Sequence, residues 1–215
     1  KHPGEKPSVT ALTYSHKYTL WSMPQISGKT YDLAISFLTP HYFARERVMA
    51  RKYAAWIHTD YTALSFDRTA ELVMWEGYDV ICGVSEQASK SFQTAFPELE
   101  GKVQTVENIL PKELICKQAE ESQNDMPSKG SLALLSVGRF CDAKNFDNVP
   151  DICCRLVADG LDVKWYLIGY GGDEPLIRQK IDDAGMQERV IILGKKDNPY
   201  PYMRACDLYV QPSRY

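Results

Sequence analysis

The sequence predicts an α/β protein made of two parallel-sheet domains, and three observations carry that reading. Short apolar runs alternate with helix-spaced segments in both halves of the chain, the pattern of strands joined by crossover helices. A polar stretch without apolar period, residues 117–130, separates the halves. In the second half each strand-like run ends on a small residue, Gly138, Gly169, Gly194 or Ser213, at the carboxyl edge where parallel sheets bind ligands.

Taken in order, residues 1–30 are polar and turn-rich, with Pro3, Pro7, Pro24 and Gly28. "YDLAISFL" (31–38) reads as a buried strand and Tyr42 to Lys52 as a helix with interleaved arginines. "YAAWIH" (53–58) is a second apolar run, and Ala70 to Glu76 is helical. "YDVICGVS" (78–85) is a third strand, followed by a helix over 86–96 that Pro97 stops. "KVQTVEN" (102–108) is a fourth strand.

The second domain begins with "SLALLSVG" (131–138). Val149, Ile152, Cys153, Leu156 and Val157 make one apolar helical face, with Pro150 in its first turn and Gly160 at its stop. "VKWYLIG" (163–169), a helix over 175–184 closed by Gly185, "RVIILG" (189–194), the short helix "YPYMRAC" and "DLYVQPS" (207–213) complete the series. Short loops between such units require right-handed crossovers in one parallel sheet. The domains are therefore placed at 1–116 and 131–215, with 117–130 as linker.

Composition narrows the function. The 215 residues are 44% hydrophobic, enough for a buried core, and carry a net charge of −3. A sequence pI of about 5.9 offers nothing to attract nucleic acid in bulk. Six cysteines are scattered at 82, 116, 141, 153, 154 and 206 without a CxxC pair, which reads as reduced intracellular thiols. No apolar run approaches the roughly 18 to 20 residues of a spanning helix, and no signal peptide is visible. The chain opens on Lys1 and ends on "QPSRY", so both ends look cut.

The chemistry concentrates in loops. In "SVGRFCDAKNF" (136–146) a strand ends at Gly138, Arg139 follows at once, and Lys144 lies just before a helical pattern. Two cations at a helix N-terminus suit an anion, and a diphosphate fits their spacing. The competing reading is a pair of solvated loop cations. "GYGG" (169–172) is half a dinucleotide fingerprint, but Glu174 stands where the last glycine belongs and no Walker lysine follows. Its glycines allow close backbone approach to a ligand, or simply a tight turn. His58, at the end of the 53–58 run, is either a site residue oriented by Asp60 or a structural histidine.

"SVGRFCDAKNFD", "WYLIGYGGDE", "VIILGKKDNPYPYM" and "ACDLYVQPSRY" occur in the order and spacing of the donor-binding domain of family-four glycosyltransferases (glycosyl transferases group 1), which this half resembles. "YDLAISFL", "AAWIHTDY", "DVICGVSEQASKSF" and "KVQTVENIL" resemble the later part of that family's acceptor-side domain, so the likeness runs from Tyr31 onward. It looks most like enzymes that build bacterial capsule or exopolysaccharide.

The resemblance implies a GT-B fold of two Rossmann-like domains, both incomplete here, and a retaining, metal-independent transfer from a nucleotide sugar to a glycan or lipid-linked acceptor. It implies no cofactor beyond the donor, a UDP-sugar by preference with a GDP-sugar allowed. By motif match Arg139, Lys144 and Gly138 hold the donor diphosphate, Gly171 and Gly172 line the donor cleft, and Gly194, Lys195, Lys196, Asp197 and Asn198 border the nucleobase. His58 matches the catalytic histidine that reaches the donor sugar. The family's two donor-contacting glutamates would follow Tyr215, so the chain is expected to be an internal fragment, inactive alone.

A sugar-nucleotide epimerase of the same architecture and a non-catalytic nucleotide-sugar-binding module are the alternatives, and the "NPYPYMRACDLYVQPSRY" run favours the transferase. The expected location is cytoplasmic. Arg45, Arg47, Arg51 and Lys52, on or beside one helix, would allow peripheral contact with an anionic membrane, although Glu46 breaks the run and favours a solvated face.

Overall fold

The computed structural model describes residues 9–121, 125–126 and 130–214. The chain divides into two compact units between Ile109 and Leu110.

In the first unit, α1 (Thr10–Ser22) precedes β1 (Thr30–Ser36), α2 (Tyr42–Arg47), β2 (Met49–Ile57), α3 (Arg68–Glu76), β3 (Val80–Gly83), α4 (Glu86–Ala95) and β4 (Val103–Thr105). The strands pair in parallel in the order β1-β2-β3-β4. Two helix starts follow directly from side-chain chemistry. Asp67 accepts from the Ala70 amide to cap α3, and Ser85 from the Ala88 amide to cap α4, each supplying an acceptor to an otherwise orphaned N–H. The core is aromatic: Trp75, Tyr78, Phe92 and Phe96 are buried, and the Trp75 and Phe92 rings meet near-perpendicularly at 5.1 Å.

Three expectations for this half need correction. Within the described part of residues 1–30 lies α1, which the sequence did not signal because Tyr14, Tyr18 and Trp21 face solvent rather than forming a buried stripe. Residues 1–8, with Pro3 and Pro7, lie outside the described residues. β1 is an edge strand, not a buried one: Ala34 and Ser36 face the core while Leu33 and Ile35 are about half exposed. The expected helix over 42–52 stops at Arg47, and β2 begins at Met49. Arg51 pairs with Asp32 at 3.0 Å and Lys52 with Asp79 at 2.9 Å. Arg45 lies over the Tyr53 ring at 4.6 Å, and Arg47 donates to the Leu20 carbonyl. The four cations therefore do not form one helical face.

In the second unit α5 (Lys112–Ala119) is followed by β5 (Leu132–Val137), α6 (Val149–Ala158), β6 (Val163–Ile168), α7 (Glu174–Asp183), β7 (Val190–Gly194), α8 (Tyr200–Ala205) and β8 (Leu208–Tyr209). The parallel sheet runs β7-β6-β5-β8. Leu134, Trp165, Leu167 and Val190 pack on one face of the sheet, against Phe146, Val149 and Ile177. Leu135, Tyr166 and Ile168 pack on the other, against Tyr202. A sheet buried on both faces needs continuous apolar strands, which is why these runs were readable. Ser136, fully buried in the middle strand, accepts from the Trp165 indole at 2.9 Å and donates to the Val210 carbonyl at 2.6 Å.

The expected linker differs from the structure. Residues 112–119 are helical, and α5 packs on α8 within the second unit. Residues 122–124 and 127–129 of that stretch lie outside the described residues.

Candidate functional site

The site in the second unit is built where β5, β6 and β8 end. The β5–β6 ladder continues past the strands. The Gly138 amide donates to the Ile168 carbonyl at 2.9 Å, the Phe140 amide to the Tyr170 carbonyl at 2.9 Å, and the Asp173 amide to the Phe140 carbonyl at 3.2 Å. This zipper explains two glycines of "GYGG". Gly169 has φ +150°, and a Cβ there would stand 1.8 Å from the Gly138 carbonyl oxygen. A Cβ on Gly171 would stand 2.1 Å from the Phe140 carbonyl oxygen. Their missing side chains let two loops touch, which needs no ligand. Gly172 faces open space.

Arg139 is exposed and has no hydrogen bond or ion pair among the described residues. Lys144 is half-buried in a 3-10 turn, Asp142–Lys144, with Nζ 3.5 Å from Ser213 Oγ. A second 3-10 turn, Phe146–Asn148, intervenes before α6. Lys144 thus does not sit directly before the helix as the spacing suggested. Asn145 joins the two turns in the left-handed conformation, at φ +59°. Gly138 is the floor under Lys144: a Cβ on it would meet Lys144 Cγ and Gln211 Nε2, each at 3.6 Å. Asp147 anchors the far side. Burial raises its carboxyl, but Arg214 at 3.1 Å and Lys180 at 3.7 Å outweigh this and hold it below the ordinary carboxylate range.

The loop after β7 is occupied by the protein itself. Lys196 pairs with Asp125 at 2.8 Å, and Asp125 also accepts from the Tyr202 hydroxyl at 2.6 Å. Asn198 donates to the Gln118 carbonyl and to Glu121, both at 2.9 Å, while its own oxygen accepts from the Tyr200 amide. Asn198 thereby ties the end of α5 to the start of α8, while Lys196 and the Tyr202 hydroxyl meet at Asp125. Lys195 pairs with Asp197 at 3.7 Å and lies 6.0 Å above the Tyr170 ring. Gly194 has φ +72° and open space around it.

In the first unit His58 is exposed just past the end of β2, its ring edge-on to Phe37 at 4.7 Å. Asp60 does not orient it. That carboxylate caps the following turn, accepting from the Thr62 amide at 2.9 Å and the Thr62 hydroxyl at 2.6 Å. A cavity of about 160 Å³ opens beside His58, lined also by His16, His41, Tyr42 and Glu71.

Sequence reasoning picked out none of these four as site residues. His41 is buried with Nδ1 2.8 Å from Ser36 Oγ. Burial, and secondarily the nearby His58, push its pKa down to about 4. Glu71 is buried, accepts from Thr13 and Tyr42 at 3.1 and 3.3 Å, and is raised by that burial. A carboxylate on an otherwise ordinary amphipathic helix gives no local signal of such partners.

Comparison with known proteins gives this geometry a context. Residues 131–215 match the glycosyl transferases group 1 family. The chain is 24% identical over 188 residues to the N-acetyl-alpha-D-glucosaminyl L-malate synthase of Bacillus anthracis, covering 82% of this chain and 49% of that protein. It thus spans about half the length of that curated relative. Among solved structures, Anabaena HepE in complex with UDP superposes with a TM-score of 0.63 at 16% identity, over 95% of this chain and 57% of that one. The pneumococcal O-GlcNAc transferase GtfA in complex with UDP and GlcNAc does so with 0.63 at 15% identity, over 93% and 38%. Residues 131–215 thus resemble a glycosyl transferases group 1 domain, and the chain shares the α/β fold of GT-B glycosyltransferases.

Proposed function

We propose that this chain is part of a glycosyltransferase that moves a sugar from a nucleotide-sugar donor to a glycan or lipid-linked acceptor in cell-surface polysaccharide synthesis. The observation that carries the reading is the pair Arg139 and Lys144 at the open end of β5, with glycine beneath them. Arg139 has no counter-charge among the described residues, and Lys144 touches only a hydroxyl. Two cations kept in this way lack the anion that would complete them.

In the reaction the bond between the anomeric carbon and the donor diphosphate oxygen breaks, and its electron pair leaves with the nucleotide. An acceptor hydroxyl oxygen forms the new bond and gives up its proton to the leaving diphosphate. Arg139 and Lys144 stabilise the negative charge that builds on the leaving diphosphate, which is the basis for a metal-independent transfer. Retention of configuration and the sugar-facing role of His58 follow from the family likeness. UDP is the favoured nucleotide because HepE and GtfA were both solved with it. No helix among the described residues is long and apolar enough to cross a membrane. The reading places the enzyme in the cytoplasm, peripheral at the inner membrane face when the acceptor is lipid-linked.

Calorimetric titration with UDP, GDP and ADP, beside an Arg139→Ala variant, tests it. Saturable binding of one nucleotide, lost in the variant, is the expected result. Binding that ignores Arg139 overturns the site.

A further inference from the structure

Ser213 lies on the same side of the site as Lys144, contributed by a segment 69 residues further along the chain. Its Oγ accepts from Lys144 Nζ at 3.5 Å and from Gln211 Nε2 at 3.2 Å. A hydroxyl has two lone pairs and one proton. With both lone pairs engaged, the proton remains to be given away, and no acceptor for it is found among the described residues. Two of the three Lys144 ammonium protons are likewise unused there.

The backbone around Ser213 is held on both sides to the turn that carries Lys144. Asn145 Nδ2 donates to the Pro212 carbonyl at 3.0 Å, and the Arg214 amide donates to the Ala143 carbonyl at 2.9 Å. The Arg214 guanidinium reaches both oxygens of Asp147 at 3.1 Å. The hydroxyl and the ammonium are thereby kept at a fixed separation before any ligand arrives, which lowers the ordering cost of binding.

We infer that Ser213 is a further phosphate-binding residue, donating its hydroxyl proton to the diphosphate oxygen that Lys144 also holds. Gln211, whose amide oxygen accepts from the Tyr209 hydroxyl at 3.0 Å, orients Ser213 by donating to it. The inference rests on the donor reading above and adds a donor from the segment after β8 to the cations of the β5 loop.

The test is calorimetric titration of inorganic pyrophosphate and of UDP into the wild-type chain and into Ser213→Ala, Ser213→Thr and Lys144→Ala. Ser213→Ala weakens both ligands about tenfold, the loss of one hydrogen bond to a charged group. Ser213→Thr, which keeps the hydroxyl, stays within about threefold of wild type on the same scale. Uridine binding is unchanged in both. If Lys144→Ala loses affinity while Ser213→Ala binds as wild type, the role of Ser213 is refuted and the donor site stands. If neither variant changes affinity, or wild type binds neither ligand, the donor reading fails and takes this inference with it. Thermal melts of each variant exclude misfolding as the cause, and a Ser213→Thr variant that folds normally but binds like Ser213→Ala also refutes the proposal.

Discussion

Gly169 and Gly138 are in contact through the space a side chain would fill: a Cβ at Gly169 would lie 1.8 Å from the Gly138 carbonyl oxygen. The contact joins the loop that carries Arg139 to the loop that follows β6, so the position of the proposed anion site depends on Gly169. Gly169→Ala and Gly171→Ala are both expected to destabilise the second unit by more than about 3 kcal/mol, since backbone must move at each. Gly172→Ala, with nothing within 4 Å of its Cβ, should leave stability within about 0.5 kcal/mol while weakening nucleoside diphosphate binding several-fold. Thermal melts separate the three. A stable Gly172→Ala protein with unchanged affinity removes that glycine from the donor cleft.

Arg139→Ala and Lys144→Ala should each weaken nucleoside diphosphate binding roughly ten- to a hundredfold, the scale for hydrogen bonds to charged groups. Because Arg139 is exposed, its share should shrink as salt is raised towards a Debye length of about 3 Å at 1 M. Titrations at low and high salt check this, and a salt-independent affinity argues against a charge-held ligand.

His58→Ala in the whole enzyme should lower turnover and leave the affinity for free nucleotide unaltered. The exposed ring makes one edge contact with Phe37, so its removal costs the fold little. Equal turnover in variant and parent assigns His58 to the surface.

His41 predicts a pH effect on stability. In the folded chain it resists protonation down to about 4, against an ordinary value of 6.5. Between those values the unfolded chain binds the extra proton and the folded one does not, so falling pH favours unfolding. The contribution is fully present above pH 6.5 and is lost as pH falls to 4, amounting to about 3 kcal/mol. Urea unfolding of the parent and of His41→Asn at pH 7 and pH 4.5 measures it. The variant should lack this component, and parallel pH profiles would mean that His41 is not buried neutral.

Legibility followed the range of the interaction. β5, β6 and β7 were readable because both faces are covered, so most of their residues are apolar, each for its own local reason. β1 reads just as apolar, yet Leu33 and Ile35 face outward at the edge of their sheet. Composition records that a strand can be buried, not whether a neighbour covers it. The 42–52 segment looked helical from its charge spacing, but Arg51 and Lys52 find their carboxylates by alternating along β2.

The site divides in the same way. The sequence by itself determined the strand, glycine and cation order of Gly138, Arg139 and Lys144, because strand end, tight turn and charge are all local properties. It determined too the parallel α/β class, which follows from alternating periods. Only the tertiary structure decided that Ser213 meets Lys144, that Lys196 pairs with Asp125 and Asn198 holds α5 instead of standing free, and that Gly169 and Gly171 serve a loop–loop contact. Each of those depends on a partner far away in the chain, and pairings at that distance are set by how the sheet brings its strand ends together, which no local pattern of residues encodes.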